Sequence, residues 1–146
     1  MAIIKRFDHV GITVRDIDAV MEFFVGLGFE LEGRMFMEGE FVDTVIGIPS
    51  SRSEIATLRL PDGGTSLELS SFVRPDHQPG NPDAMSTELG LRNLTFEVED
   101  LPTVLDQLAD QGYGLVGDMG EWEGAWRMAY VRGPEGIIVS LADQIG

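Results

Sequence analysis

The sequence predicts an α+β fold built from two copies of a βαβββ module. Three observations predict it: the chain repeats its own pattern, each repeat opens with alternating apolar residues, and a helical apolar pattern follows. The repeat appears when FDHVGITVRDIDAV (7–20) is aligned with LRNLTFEVEDLPTV (91–104), because the apolar positions coincide without a gap. The ends of the two halves also match, as PDGGTSLEL (61–69) and PEGIIVSL (134–141), with one residue deleted.

The first module begins with a strand and a helix. Residues 7–14 alternate apolar and polar side chains, which is the pattern of a half-buried strand. Asp16 stands where a helix N-cap is expected, and apolar residues then recur at helical spacing over 17–27. Gly28 predicts the end of this helix, since glycine readily takes the left-handed conformation that follows a last helical turn.

Three strands complete the first module. They are predicted at 29–37, 53–60 and 65–72. The DGG sequence at 62–64 is a hairpin turn signal between the last two strands. The stretch 40–48 leaves two interpretations open, a short helix or a lid.

The second module follows the same order. Asp100 is predicted to cap a helix that begins at Leu101, and Gly112 to end it. Three strands are predicted after the helix, near 113–119, 125–132 and 137–143.

We expect residues 1–146 to form a single domain with an internal duplication. Module one covers about 5–73, a linker covers 74–90, and module two covers about 91–144. The linker contains RPDHQPGNPDAMSTE (74–88), which is rich in proline and polar residues and predicts an exposed crossover loop. We accordingly expect His77, within this loop, to be solvated.

Composition excludes several classes of protein. The chain has 25 acidic and 10 basic residues, giving a formal net charge of −15, and only Lys5 and Arg6 are adjacent bases, so nucleic acid is not an expected partner. No apolar stretch of about 18 residues is present, so the sequence predicts no membrane span. Cysteine is absent, which removes disulfides and thiolate chemistry and makes the cytoplasm the expected location.

Four segments resemble the vicinal oxygen chelate superfamily, which includes glyoxalase I, methylmalonyl-CoA epimerase, extradiol dioxygenases and the bleomycin resistance proteins. They are DHVGITVRDIDAVMEFF, LELSSF, LTFEVEDL and VRGPEGIIVSLAD, and the resemblance extends over roughly residues 5–144. It implies that the eight strands form a partly open, barrel-like sheet around a cavity. It also implies a small-molecule ligand and a homodimer.

The resemblance also implies a metal site with one ligand on the first and last strand of each module. His9 and Glu68 occupy the two positions of the first module, and Asn93 and Ser140 those of the second. The family usually has His and Glu at the latter two. A divalent Zn, Ni, Mn or Fe ion is therefore expected to be held weakly, mainly by His9 and Glu68, because an amide or a hydroxyl is a poorer ligand.

Other residues are candidates for catalysis or substrate binding. Ser140 replaces a carboxylate that serves as a mobile base in glyoxalase-type members, so a proton transfer needs another base. Glu97 is one candidate, since residues 93, 95 and 97 share a strand face, Glu121 is another, and Glu68 is itself a carboxylate in the site. Trp126 offers a stacking surface, and Arg127 is suited to an anionic group, besides Asn93 and Ser140 as polar lining.

Two functions compete at this stage. The first is a metal-dependent isomerase or lyase, of glyoxalase or methylmalonyl-CoA epimerase type, acting on a small molecule with adjacent oxygens. The alternative is a non-catalytic, metal-free binding protein of the bleomycin-resistance type. A ring-cleaving dioxygenase is a weaker third interpretation, because Asn93 interrupts the iron triad of two histidines and a carboxylate.

Overall fold

A computed structural model describes residues 3–146, which divide into two compact units at Pro79 and Gly80. Each unit has one four-stranded sheet and the βαβββ order that the repeat predicts, with one additional short helix between the second and third strands of the first unit. The α+β class is therefore confirmed. No helix among residues 3–146 has the length and hydropathy to cross a membrane.

The first unit contains four strands and two helices. Its elements are β1 (His9–Thr13), α1 (Ile17–Gly26), β2 (Glu30–Glu38), α2 (Glu40–Ile46), β3 (Arg52–Leu60) and β4 (Gly63–Arg74). The strand order is β1-β4-β3-β2, with β1 parallel to β4 and the other pairs antiparallel. The segment left open at 40–48 is thus largely a short helix, and a tight turn joins β3 to β4 where the DGG signal predicts a hairpin.

Helix α1 begins and ends where the sequence predicts. The Asp16 carboxylate accepts a hydrogen bond from the Ala19 backbone N–H at 3.1 Å, which satisfies an otherwise unpaired donor of the first turn. Gly28 follows the C-cap with φ +116°, a conformation that favours glycine. Phe24 is buried and meets Phe23 and Phe29 edge-on, and α1 packs against β3 and β4 of the first sheet.

The second unit repeats the plan with shorter strands. Its elements are β5 (Leu94–Glu97), α3 (Leu101–Asp110), β6 (Gly120–Trp122), β7 (Trp126–Arg132) and β8 (Ile138–Gln144). The order is β5-β8-β7-β6, with β5 parallel to β8. The predicted strand at 113–119 is wrong: only Leu115 forms an isolated bridge, and β6 comes later. Gly114 and Gly117 leave that segment with few side chains to pack, which weakens a strand.

The start of α3 is stabilised differently from the prediction. Asp100 has φ +54° and its carboxylate accepts from the Thr103 hydroxyl at 2.7 Å, so it makes no cap bond to the helix backbone. Asp143 of β8 instead accepts from the Leu101 N–H at 3.0 Å and from Arg127 at 2.6 Å. The Leu101 N–H and the Arg127 guanidinium hold the pKa of Asp143 below its ordinary value of 3.8.

Asp143→Asn is expected to lower the Tm at pH 7 on the order of 5 °C, because Arg127 loses its charged partner. A carboxyl whose pKa is depressed on folding contributes stability above its unfolded pKa, and the contribution disappears as the pH falls through the folded pKa. The Tm gap between wild type and variant should therefore close between about pH 5 and pH 2. Thermal unfolding over this pH range measures it, with exposed Asp106→Asn on α3 as the control. A gap independent of pH would contradict the prediction.

The linker is less exposed than predicted, because parts of it make specific contacts within the unit to which they belong. His77 has a side chain only 10% exposed, and its Nε2 accepts a hydrogen bond from the Phe72 N–H at 2.9 Å. The prediction of a solvated His77 is therefore wrong. In the second unit, Arg132 donates to the carbonyls of Pro82 and Ala84, which fixes the first residues after the division.

Candidate functional site

The candidate site in the first unit lies on one face of its sheet, where β1 runs beside β4. Leu67 and Leu69 are buried, while Glu68 between them is half-buried on the opposite face. The parallel register pairs His9 with Ser66 and Gly11 with Glu68, so His9 and Glu68 are diagonal neighbours on one face. Strand alternation therefore keeps both polar side chains away from the apolar core.

His9 and Glu68 meet directly. The Nε2 of His9 lies 3.3 Å from the Oε2 of Glu68, and the two side chains are 40% and 34% exposed. Gly11, beside Glu68 on the neighbouring strand, adds no side chain there, and a Cβ at this position would meet no atom within 4 Å. The pair is thus accessible and has free space next to it.

Asp8 is hydrogen-bonded to Nδ1, the other ring nitrogen of His9. Its Oδ2 lies 2.7 Å from Nδ1 of His9, and its Oδ1 lies 2.6 Å from Nη2 of Arg6. The hydrogen bond from His9 and the charge of Arg6 hold the pKa of Asp8 below its ordinary value of 3.8. Asp8 is therefore an ionised acceptor, and Nδ1 donates its proton to it, which leaves Nε2 facing Glu68.

The pair fits a cation held by two protein ligands. Ligand atoms about 2.0–2.1 Å from a tetrahedral ion are separated by about 3.3 Å, and Nε2 and Oε2 are 3.3 Å apart. Imidazole and carboxylate are ligands that Zn, Ni, Mn and Fe accept. Residues 3–146 contain no group of three or more His, Asp or Glu side chains placed to hold a metal. Water or ligand oxygens would complete the shell, so such an ion would be held weakly.

In the second unit, Asn93 and Ser140 both lie beside Thr95 and Tyr130, two residues with hydroxyl side chains. Asn93 donates to the Tyr130 hydroxyl at 3.4 Å and accepts from the Thr95 hydroxyl at 3.0 Å. Ser140 is 0% exposed, and its hydroxyl has no hydrogen-bond partner in the described part of the chain. Thr95 and Tyr130 are its register partners on the two neighbouring strands.

The other candidates of the second unit do not share one face. Thr95 pairs with Ser140 and Glu97 with Ala142, so strand alternation places Glu97 on the face of Ser140, and it is exposed. Trp126 is half-buried on β7. Arg127 lies next to it on the opposite face of β7, where its guanidinium binds Asp143 at 2.6 Å. Arg127 is thus already engaged in the structure, whereas Glu97 is accessible.

Comparison with known proteins identifies the family. The sequence pattern of the Glyoxalase/Bleomycin resistance protein/Dioxygenase superfamily matches residues 8–130. The chain belongs to this superfamily. The structure of a glyoxalase family protein from Bacillus cereus is 37% identical, with a TM-score of 0.94 over 98% of this chain and 96% of that one. No curated protein matches the sequence significantly.

Two more distant solved structures share the fold. The trypanothione-dependent glyoxalase I of Leishmania major is 18% identical, with a TM-score of 0.67 over 95% of this chain and 86% of that one. The antibiotic-binding protein TnmS3 of a Streptomyces species is also 18% identical, with a TM-score of 0.62 over 99% of both chains. At this identity the similarity shows the fold alone, and the two differ in what they do.

Sequence reasoning missed Asp8 as a part of the site. The alternating pattern of residues 7–14 marks His9 as one of the polar positions of a half-buried strand, but it assigns no role to Asp8 beside it. The available signal was an acidic residue directly before the histidine at the family's ligand position, preceded by Arg6. Histidine ligands commonly donate their second N–H to a carboxylate, which would have drawn attention to Asp8.

Proposed function

We propose that His9 and Glu68 form the functional site of a small-molecule enzyme, a metal-dependent lyase or isomerase of glyoxalase or epimerase type. One observation carries the proposal: Nε2 of His9 faces Oε2 of Glu68 at 3.3 Å while Nδ1 is bound to Asp8. Two acceptors facing each other at this distance repel unless a proton or a cation lies between them. A divalent cation is the occupant that the family's chemistry favours.

In this proposal some residues bind the cation and others bind the substrate. A bound Zn, Ni, Mn or Fe ion would supply polarisation of adjacent substrate oxygens. His9 and Glu68 would hold it, and the exposed Asn93 would offer an uncharged hydrogen-bonding group to the substrate, whereas the hydroxyl of Ser140 is fully buried. Trp126 would stack on an unsaturated part of the substrate, whereas Arg127, which binds Asp143 on the opposite face of β7, would not contact a substrate on the Trp126 face.

Proton transfer requires a base other than Ser140. A hydroxyl stays protonated at neutral pH, whereas a carboxylate accepts a proton from an acidified carbon beside a carbonyl. Glu97 is our proposed base, because its side chain is exposed and it lies on the sheet face of Ser140. Glu68 is a second carboxylate in the proposed site and would take this role if it does not bind the cation.

Deuterium exchange tests the proposed chemistry without knowledge of the substrate. In D₂O with added Ni²⁺, the protein is expected to exchange the C–H beside the carbonyl in at least one compound from a panel of α-hydroxy aldehydes, α-hydroxy ketones and hemithioacetals formed from α-ketoaldehydes and thiols. Proton NMR measures the exchange. Glu97→Gln should reduce its rate about 100-fold or more, as expected for a lost general base. Glu99→Gln, an exposed neighbour, should leave it unchanged. Equal rates in the two variants would exclude Glu97 as the base.

The alternative is a metal-free binding protein, and one observation favours it. Only two strong donors meet in the described residues, and Ser140 is buried where the family's last carboxylate ligand would stand. A protein of this kind would bind bulky organic molecules with the same affinity in the presence of EDTA or of Ni²⁺, and would catalyse no exchange. The deuterium experiment therefore separates the two functions.

We also propose that the protein is a homodimer. Several large apolar side chains are exposed, among them Phe41 and Val45 on α2 and Trp122 on β6. Burial of such side chains between two copies would remove apolar surface from water. Sedimentation equilibrium at micromolar concentration should give a mass twice the 16.0 kDa of one chain. A single species at the mass of one chain would contradict the proposal.

A further inference from the structure

The two nitrogens of the His9 ring face two different carboxylates. Nδ1 is 2.7 Å from Asp8, and Nε2 is 3.3 Å from Glu68. The second oxygen of Asp8 is 2.6 Å from Arg6, so both oxygens of this carboxylate are used. Arg6, Asp8, His9 and Glu68 thus form one continuous chain of polar contacts across the start of β1.

A neutral imidazole carries one proton, and the hydrogen bonds of the ring decide which nitrogen holds it. One oxygen of the Asp8 carboxylate contacts the Arg6 guanidinium and the other contacts Nδ1 of His9, so Asp8 acts as an acceptor and stabilises the tautomer with the proton on Nδ1. The lone pair is then on Nε2, which is the atom that faces Glu68. The opposite tautomer would place two acceptors, Nδ1 and Asp8, in contact.

We infer that Asp8 is a positioning residue, which fixes the tautomer and orientation of His9 so that Nε2 presents its lone pair beside Glu68. Arg6 in turn fixes Asp8. The effect on the tautomer is independent of the proposed function, while the consequence for a bound cation rests on it. A carboxylate behind a histidine ligand also raises the basicity of the ligating nitrogen, which strengthens binding.

The exposed position of Asp8 makes the inference testable. Its side chain is 58% exposed, so its removal leaves no buried cavity and should not unfold the protein. Asp8→Asn keeps an oxygen that accepts from Nδ1 but loses the charge, and Asp8→Ala loses both. Asp18→Ala is the matched control, because Asp18 is also an exposed aspartate paired with an arginine, at 2.7 Å from Arg34.

The ring nitrogens can be observed directly because the chain has only two histidines, His9 and His77. Long-range ¹H–¹⁵N NMR, at a pH where the ¹⁵N shifts show neutral rings, reports which nitrogen carries the proton. Wild type and Asp18→Ala should show His9 protonated on Nδ1. Asp8→Asn should retain most of that tautomer, and Asp8→Ala should give a mixture. The His77 signal should be the same in all four proteins, since its Nε2 accepts from the Phe72 N–H.

Calorimetric titration with Ni²⁺ measures the consequence for the cation. Asp8→Ala should weaken binding about 10–100-fold, Asp8→Asn less, and Asp18→Ala not at all. An unchanged His9 tautomer in Asp8→Ala, or equal weakening by Asp18→Ala, would overturn the inference. If the tautomer depends on Asp8 but wild type binds no Ni²⁺, the positioning role of Asp8 stands and the proposed metal function fails.

Discussion

His9→Ala is expected to abolish detectable binding of Ni²⁺, Mn²⁺ and Zn²⁺. Only His9 and Glu68 supply strong donors in the proposed site, and they are 3.3 Å apart, as two ligands of one ion would be. With His9 removed, a single carboxylate and neutral groups remain, and these compete poorly with water. Glu68→Gln should have nearly the same effect, because it removes the only charged ligand. Isothermal titration calorimetry on chelator-free protein measures both losses.

His77→Ala is the matched control for this experiment. It removes the other histidine of the chain, whose Nε2 is already bound to the Phe72 N–H, so it should leave the metal affinity unchanged. Tight binding that persists in His9→Ala would show that the site is elsewhere. Loss of binding in His77→Ala at unchanged thermal stability would point to the segment after β4 instead.

Asn93→His combined with Ser140→Glu is expected to tighten divalent metal binding by orders of magnitude. The double variant restores the ligand types implied by the superfamily, with two carboxylates instead of one and two imidazoles instead of one. Ser140 is 0% exposed, so a carboxylate at this position is buried, which costs several kcal/mol unless a cation neutralises it. The metal-free variant should therefore be less stable than wild type, and Ni²⁺ should raise its Tm far more than that of wild type.

Calorimetry and thermal unfolding, with Ni²⁺ and with EDTA, measure both parts of this prediction. Asn93→His with Ser140→Gln is the control, since glutamine has the size of glutamate without its charge. It should gain clearly less affinity than the double variant, because it adds an imidazole but no second carboxylate. If both wild type and the rebuilt variant bind no metal, the ligand positions have been repurposed and the metal-free binder becomes the better account.

The local elements were predictable from the sequence because their signals are local. The Asp16 cap lies directly before its helix, and Gly28 follows the end of that helix. Along the strands of the first unit, apolar and polar side chains alternate between the two faces of the sheet. The repeat gave an independent check, because the same order of strands and helix had to fit the sequences of both modules. The α+β class and the two βαβββ modules followed from these signals.

The sequence predictions were wrong where contacts with residues distant in the sequence determine the local structure. Asp143 binds the first N–H of α3 although it lies more than forty residues later, and the pattern around Asp100 gives no sign of this. The interaction of His77 with the backbone of Phe72 likewise depends on how the chain turns after β4. A strand was expected at 113–119 from apolar residues, but its glycines and its lack of a full partner ladder leave one bridge only.

The candidate site was predictable only in part. The repeat and the family resemblance selected His9 and Glu68, and the structure of the first unit brings these two side chains together. The contacts of Asp8 with His9 and with Arg6 depend on side-chain orientations, and the spacing of residues in the sequence does not predict these. That Asn93 and Ser140 join the same site remains a prediction, as does the base role of Glu97.

A titration with Mn²⁺ followed by NMR shows whether a divalent cation binds beside His9 and Glu68, because paramagnetic broadening identifies the residues next to the ion. The chain has two histidines, so the spectrum contains two sets of imidazole signals, which His9→Ala and His77→Ala assign. If His9 and Glu68 hold the cation, Mn²⁺ added well below one equivalent broadens the His9 signals first and leaves those of His77 sharp. Broadening of His77 before His9, or sharp signals for both at a large excess of Mn²⁺, would contradict this prediction.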